Sequence, residues 1–239
     1  MGAPDFTLPQ IPPRPRRILL FVAMRSEAEP IARALGAACG AARVGGAAVE
    51  LLVPGVDPAL GVDRLGPVHA ASALARAFAM GRPDLVVNMG TCGGFESQGL
   101  AVADLVAVRD TVFHDARVAL PGFDRLARAH TRLSPSEAQL ESAGAALGAR
   151  VGLASTGSSL DATADELAFF ARERALAKDM ELAALAVVCR EAGVPLAALK
   201  GVTDLVDHHE PTHEAFLRNL ARTSDRIAAA AAPFLESLA

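Results

Sequence analysis

Cysteine, long apolar runs and excess charge are all scarce in this sequence, and each scarcity excludes a class of protein. There are three cysteines in 239 residues, an odd number without metal-type spacing, so we expect a reduced, cytoplasmic compartment. No apolar stretch reaches the roughly 18 to 20 residues that span a bilayer, so we expect no membrane partner. The formal net charge of −4 offers no electrostatic basis for binding nucleic acid or a membrane surface.

The start of the chain differs in composition from the rest. Residues 1–16 are rich in proline, and we predict an extended or disordered tail there. No long apolar segment lies behind its arginines, so we do not expect a secretory signal. Residues 17–239 are enough for one α/β domain with a large core and too few for two domains of usual size. We therefore predict a tail followed by a single domain.

Short β-rich apolar runs alternate with helical patterns along this domain. The predicted strands are 17–23, 49–53, 84–89, 102–108, 151–154 and 195–202. The predicted helices are 27–35, 67–79, 163–175, 181–192 and 212–238. Strands that alternate with helices over the whole length favour a mostly parallel sheet covered on both faces. The fold class is therefore α/β, a single three-layer domain whose central, mostly parallel sheet is flanked by helices.

Unusual polar residues follow the predicted strands, and ligands in open α/β sheets bind outside the carboxyl ends of strands. Four separate loops therefore converge on one crevice, contributing Glu27, Thr91 with Cys92, Ser155 with Thr156, and Thr203 with Asp204. The glycine-rich turn Met89–Gly94 allows close backbone approach to a ligand. It is neither a dinucleotide fingerprint nor a phosphate-binding P-loop, because the spacing of both motifs is absent.

Three carboxylates, Glu27, Glu181 and Asp204, belong to this crevice. Glycoside chemistry needs an acid for the leaving group, a base for water and negative charge beside an oxocarbenium-like transition state. Each carboxylate also has a purely structural interpretation. Glu27 and Glu181 fall in first turns of helices, where negative charge is favourable, and Asp204 can cap a turn. The neighbouring Glu29 is explained by a capping box that begins at Ser26, which leaves Glu27 as the candidate.

The segment His209–His213 matches the H-E-x-x-H pattern of zinc peptidases. That chemistry requires both histidines on one face of a continuous helix. Pro211 lies between them and would break a helix interior at a cost of about 3 kcal/mol. We place the proline just before the terminal helix, with Thr212 as its cap, and predict no metal site.

Five motifs in consistent order resemble those of the methylthioadenosine nucleosidases, which belong to the purine nucleoside phosphorylase-like superfamily. They are AMRSE (23–27), NMGTCGGF (88–95), STGSSLD (155–161), KDME (178–181) and KGVTDLVD (200–207), and the resemblance covers roughly residues 17–236. FHDARV after the glycine turn is similar to the plant-type branch. The resemblance implies a nucleoside phosphorylase-like fold, a nucleoside substrate, hydrolysis of 5′-methylthioadenosine, a homodimer, and neither a metal nor an organic cofactor.

The same resemblance implies a role for individual residues. Asp204 matches the general acid that protonates the adenine ring, and Glu27 matches the carboxylate that activates water. Further substrate-binding positions correspond to Met180 and Glu181 at the ribose, Leu160 against the purine, and Thr91, Cys92, Gly93, Lys178 and Asp179. Phe113 and His114 match a segment that reaches the thioalkyl end of the neighbouring subunit's substrate. Ser158 departs from the family, which usually has aspartate there.

Three alternative functions remain open from the sequence. The first is phosphorolysis by a sister enzyme, which Glu27 disfavours because a carboxylate repels phosphate and only Arg25 lies near it. The second is hydrolysis of another nucleoside, such as S-adenosylhomocysteine or a futalosine-like compound. The third is a non-catalytic nucleoside-binding protein, which would be expected to lose the acid or the base.

Overall fold

The computed structural model describes residues 5–238, and in this range the chain forms ten strands and seven α-helices. The strands are β1 Phe6–Thr7, β2 Arg17–Phe21, β3 Ala41–Val44, β4 Ala47–Leu52, β5 Leu85–Gly94, β6 Leu105–Phe113, β7 Thr131–Arg132, β8 Arg150–Thr156, β9 Ala177–Asp179 and β10 Leu196–Leu205. The helices are α1 Arg25–Ala34, α2 Pro67–Met80, α3 Phe123–Ala127, α4 Glu137–Leu147, α5 Ala164–Glu173, α6 Leu182–Ala192 and α7 Thr212–Ser237.

Helices cover both faces of one mixed sheet, which confirms the predicted three-layer α/β fold. One apolar cluster joins the sheet to α1, α4 and α7, for example through Ile31, Leu140 and Ile227. A second cluster joins the opposite face to α2 and α6 through Leu74 and Leu185. The strands read as continuous apolar runs because both of their faces are buried.

Five strands close into a ring that the sequence pattern does not reveal. The strand β10 pairs in parallel with β5 and antiparallel with β6. In turn β6 pairs with β8, β8 with β9, and β9 with β5. The ring gathers the carboxyl ends of β5, β8, β9 and β10 around one opening, which is where the polar residues were predicted to meet.

The strands of the ring run further than predicted. β5 and β10 continue through residues that we placed in loops. Thr91 and Cys92 lie near the end of β5, and Thr203 and Asp204 lie near the end of β10. The register of β10 against β5 shifts between Val202 and Asp204. Such a bulge re-aims the side chains beside it, and here it turns the end of β10 towards the opening.

Several short elements were absent from the sequence prediction, among them β3, β7, β9, α3 and α4. Only Leu140, Ala143 and Leu147 of α4 are buried, so its apolar stripe is too weak to show in the pattern. A capping box of Ser136 and Gln139 marks its start, and this is the signal that would have located it.

The segment predicted as a tail contributes to the fold where the structure describes it. Phe6–Thr7 pairs in parallel with Thr131–Arg132, and Leu8 is buried in the core beneath the sheet. An edge strand of two residues needs no apolar periodicity, which is why its composition suggested only a tail. Residues 1–4 of the predicted tail lie outside the described residues.

Two helix starts were at issue in the sequence. The helix α1 begins at Arg25, so Glu27 is its third residue and accepts the Met24 amide at 3.2 Å. The capping-box position therefore belongs to Glu27, and the assignment to Ser26 and Glu29 is wrong. α7 begins at Thr212, and Pro211 takes the cap position, so the assignment of Thr212 as the cap is wrong. His209 lies before the helix and His213 within it, so the two histidines do not share a helix. Within residues 5–238, no helix is both long and apolar enough to span a membrane.

Candidate active site

A cavity of about 210 Å³ opens at the carboxyl ends of β5, β9 and β10. It brings together most of the residues that the sequence singled out, which are Glu27, Thr91, Cys92, Gly93, Leu160, Lys178, Asp179, Met180, Glu181 and Asp204. These residues come from five separate parts of the chain. The predicted convergence holds for Glu27, for Thr91 with Cys92 and for Asp204, but Ser155 and Thr156 are buried outside the lining, where the loop after β8 supplies Leu160 instead. The thiol of Cys92 is fully buried, which raises its pKa and keeps it protonated.

Glu27 is a buried carboxylate whose orientation is fixed by three hydrogen-bond donors. Its Oε1 accepts the backbone N–H and the hydroxyl of Thr91, both at 2.7 Å. Its Oε2 accepts the amide of Met24 at 3.2 Å. A Cβ at Gly90 would lie 3.3 Å from both carboxylate oxygens. The absence of a side chain at Gly90 therefore leaves space for the Glu27 carboxylate. In all three contacts Glu27 is the hydrogen-bond acceptor, which is the role of a carboxylate.

The surroundings of Asp204 favour the protonated form of its carboxyl group. Burial raises its pKa, although the Thr203 hydroxyl and the charge of Lys178 act in the other direction. The Thr203 hydroxyl lies 2.7 Å from Asp204 Oδ1. The Oδ2 atom lies against Gly93, where a Cβ would be only 3.0 Å away, and so Gly93 is required for this approach. A carboxyl group with a raised pKa is suited to donating a proton.

A buried ion pair forms part of the cavity wall. Lys200 Nζ is 2.7 Å from Asp179 Oδ2, and both side chains are at most 1% exposed. Asp179 also accepts the Thr156 hydroxyl at 2.6 Å and the Leu182 amide at 3.0 Å. Burial by itself lowers the pKa of Lys200, but the carboxylates of Asp179 and Glu181 raise it overall. The contacts of the Asp179 carboxylate are thus with the protein, and they anchor the start of α6.

Glu181 precedes α6 and is buried at the cavity wall. Its Oε1 accepts the amide of Gly66 at 3.0 Å. Burial raises the pKa of Glu181 to about 7, while the nearby Lys200 acts to lower it. Among the described residues no hydrogen bond is made to the other carboxylate oxygen, which leaves it available to a ligand. Met180 lies beside it in the cavity lining.

Lys178 ties the far wall of the cavity to the loop after β8. Its ammonium group donates to the carbonyl oxygens of Ser159 and Leu160, the second at 3.0 Å. Burial lowers the pKa of Lys178, against the attraction of Asp204 and other carboxylates. The Leu160 side chain is 40% exposed and lines the cavity, where it presents an apolar surface to a ligand.

Phe113 and His114 do not reach this cavity in the same chain. Phe113 lines a separate cavity with Phe6 and Arg190. The ring of His114 is buried, with Nδ1 3.1 Å from Ser155 Oγ and its face against Phe170. Their expected role concerns the substrate of a second subunit, so it stays a prediction.

Thr203 also lines the cavity, as the sequence predicted. Sequence reasoning missed other lining residues, which are Met24, Leu65, Asn88, Lys200, Val206 and Phe216. A signal existed for Lys200, because a lysine inside the buried run ALKGV requires a counter-charge. No local signal distinguishes Leu65 or Phe216, since only the tertiary structure brings α7 and the 54–66 segment to the cavity. Among residues 5–238 no cluster of three histidine, cysteine or acidic side chains is arranged to hold a metal ion.

Comparisons with known proteins agree with the fold and the motif order. The chain matches the family model described as the Phosphorylase superfamily over residues 17–236. It is 40% identical to a 5′-methylthioadenosine nucleosidase of Arabidopsis thaliana over 173 residues, which cover 72% of this chain and 63% of that protein. A 5′-methylthioadenosine/S-adenosylhomocysteine nucleosidase of the same plant is 35% identical, with 75% and 69% covered. The chain thus spans less than two thirds of the first relative.

A solved structure extends this likeness over nearly the whole chain. The apo form of the Arabidopsis thaliana 5′-methylthioadenosine nucleosidase superposes with a TM-score of 0.86 at 30% identity. The match covers 94% of this chain and 97% of that one. These findings confirm the resemblance predicted from the five motifs and the nucleoside phosphorylase-like fold.

Proposed function

Because the chain belongs to the phosphorylase superfamily, we propose that it is an N-glycosyl hydrolase that cleaves 5′-methylthioadenosine into adenine and 5-methylthioribose. One observation carries the proposal. A single cavity holds Glu27, which only accepts hydrogen bonds, and Asp204, whose pKa burial raises. A carboxylate that accepts hydrogen bonds, together with a carboxyl group that burial favours in its protonated form, supplies the two groups of an acid–base pair.

The reaction uses the pair in opposite directions. The oxygen of a water molecule bonds to the anomeric carbon while one of its protons passes to Glu27. The bond between that carbon and the purine nitrogen breaks, and its electron pair moves into the purine. Asp204 then donates its proton to a ring nitrogen, so adenine leaves as a neutral molecule. The proton held by Glu27 replaces the one lost by Asp204 through solvent.

The ribose end needs negative charge and hydrogen-bond acceptors. An oxocarbenium-like transition state develops positive charge at the sugar. Glu181 lies in the wall, and one of its carboxylate oxygens has no hydrogen-bond donor within residues 5–238. Its charge is stabilised by Lys200, which is itself held by Asp179. We assign Glu181 to the ribose hydroxyl groups and Leu160 to the purine face.

Phosphorolysis is disfavoured by the pairing of the cations near the cavity. Arg25 turns outward, where its Nε lies 2.9 Å from Asp63 Oδ1. Lys200 is paired with Asp179, and Lys178 donates to loop carbonyls. The described cavity lining includes no arginine, and its two lysines are held by Asp179 and by loop carbonyls, whereas water as the attacking group needs no cation.

The composition of the cavity lining also affects which 5′ substituent of the substrate is accepted. The homocysteinyl group of S-adenosylhomocysteine carries a carboxylate, for which the described lining offers no arginine. The lining instead includes the apolar side chains of Leu65, Val206 and Phe216. We therefore favour the small thioether of 5′-methylthioadenosine, and with it a role in methionine salvage.

A homodimer and a cytoplasmic location complete the proposal. The segment after Phe113 exposes the apolar residues Val118, Leu120, Phe123 and Leu126, and contiguous apolar surface of this kind is typical of an interface. All three cysteines are free, which suits a reducing compartment. Analytical ultracentrifugation tests the dimer, and cell fractionation tests the location.

The deciding experiment measures adenine release from 5′-methylthioadenosine with and without phosphate, with S-adenosylhomocysteine in parallel. We expect release that is independent of phosphate and faster with the methylthio substrate. Glu27→Gln should lose activity by at least a hundredfold, while Glu29→Gln, an exposed neighbour in the same helix turn, should keep it. Release only with phosphate would make the protein a phosphorylase, and tight binding without release would make it a binding protein.

A further inference from the structure

The loop 157–160, which carries Leu160 into the cavity wall, has few contacts of its own. Three of its four residues, Ser158, Ser159 and Leu160, are exposed. On one side the loop is held by Lys178, which donates to the carbonyl oxygens of Ser159 and Leu160. The opposite side must be held by other groups if Leu160 is to keep its place against a purine.

That second support comes from the two residues that follow β6. The amide of His114 donates to the Thr156 carbonyl at 3.0 Å, which keeps the ends of β6 and β8 together. Asp115 Oδ2 then accepts the backbone N–H of Ser158 at 2.7 Å. Charge-assisted bonds of this length are stronger than those between neutral groups.

The histidine before Asp115 fixes the same turn sterically. A Cβ at Gly157 would lie 2.1 Å from His114 Nε2, so the imidazole occupies the space of a side chain at that position. His114 Nε2 has no hydrogen-bond partner among the described residues, and the ring is buried. The ring therefore acts as a packing surface, and the directional bond to the loop is left to Asp115.

We propose that Asp115 is a positioning residue for the purine end of the site, because its carboxylate fixes the 157–160 turn and so places Leu160. The inference rests on the proposed function, since it assumes that Leu160 meets a purine. It concerns the same subunit, whereas the roles expected of Phe113 and His114 concern a neighbour.

The arrangement also accounts for Ser158, where the resemblance leads to an expected aspartate. The Ser158 side chain begins two bonds from the amide that Asp115 accepts. A carboxylate there would lie beside the carboxylate of Asp115, and like charges at such separation repel. In this chain Asp115 supplies the negative charge at the turn, and a neutral residue at 158 is the compatible partner.

The test compares variants of the full chain by calorimetric titration with adenine and by steady-state kinetics with 5′-methylthioadenosine. Asp115→Ala should raise the adenine Kd and the KM roughly tenfold and change kcat less than about threefold. Ser158→Ala keeps the backbone N–H and should stay within about twofold in both constants. Thermal melting of each variant checks that it is folded.

A second test places a negative charge at position 158. Ser158→Asp should weaken adenine binding in the native background and weaken it less when combined with Asp115→Asn. An unchanged adenine Kd in Asp115→Ala, or an equal effect of Ser158→Asp in both backgrounds, would overturn the inference. If the wild-type chain neither binds nor releases adenine, the proposed function has failed and the inference falls with it. A wild type that is active beside an unaffected Asp115→Ala refutes the inference alone.

Discussion

Replacing Asp204 by asparagine removes the ionisable carboxyl group and keeps the size of the side chain. The amide oxygen of asparagine can still accept the Thr203 hydroxyl, which lies 2.7 Å from Asp204 Oδ1. The side chain has the same shape, so its close approach to Gly93 is preserved. The substitution therefore separates the acid function of this residue from its packing.

The expected loss follows from the role of a general acid. One well-placed acid contributes about 10²- to 10⁴-fold, or roughly 3 to 5 kcal/mol of barrier. We expect kcat for adenine release to fall by that factor, with a smaller change in KM. Because the acid must be protonated, wild-type kcat/KM should decline as pH rises through the raised pKa of Asp204, and Asp204→Asn should lack this alkaline limb.

Stability should change in the opposite direction from activity. Burial raises the pKa of Asp204, so the folded state binds the proton more tightly than the unfolded chain does. The contribution of this group to the free energy of unfolding is therefore present at low pH and is lost as pH rises through the folded-state pKa. At neutral pH Asp204→Asn should be at least as stable as the wild type in urea titrations.

Asp207→Asn is the matched control, since it removes a nearby carboxylate outside the cavity. That group accepts the amides of Glu96 at 2.8 Å and Ser97 at 3.0 Å, and we expect its loss to leave turnover close to that of the wild type. The assignment of Asp204 as the acid would be refuted by an Asp204→Asn variant that retains more than about a tenth of the wild-type kcat.

Three further predictions concern the cavity walls. Lys200→Met should lower the free energy of unfolding by about 3 to 5 kcal/mol in urea titrations, because Asp179 is left buried and unpaired; a double variant with Asp179→Asn that is no more stable would contradict this. Gly93→Ala should reduce turnover at least tenfold, because its Cβ would lie 2.5 Å from Val206 Cγ2. Adding Val206→Ala to this variant should restore part of the activity, and a fully active Gly93→Ala would contradict the steric explanation. Burial raises the pKa of Glu181 from 4.5 to about 7, so the folded state holds an extra proton between these pH values, and the free energy of unfolding should decline as pH rises across them. Glu181→Gln should lack this decline, and an unchanged decline in the variant would show that another group causes it.

Local patterns predicted most of the longer strands and helices in their observed order, and the sheet edge at which the site forms. Runs such as Leu85–Met89 are apolar on both faces, and a strand with that pattern is buried in a sheet covered on both sides. Once the strands are parallel, residues at their carboxyl ends meet without further information. Glu27, Thr91 and Asp204 were therefore brought to one crevice by local patterns alone.

The contacts of each of these side chains form only in the folded chain. The pairing of Lys200 with Asp179, the bulge that turns Asp204 inward and the contact of Asp115 with Ser158 all join residues from different elements. Their geometry depends on strand register and on the closure of the ring, which no local periodicity encodes. Burial, and with it the raised pKa of Asp204 and Glu181, is a property of the assembled cavity, because a charge loses its hydration only when distant segments close around it.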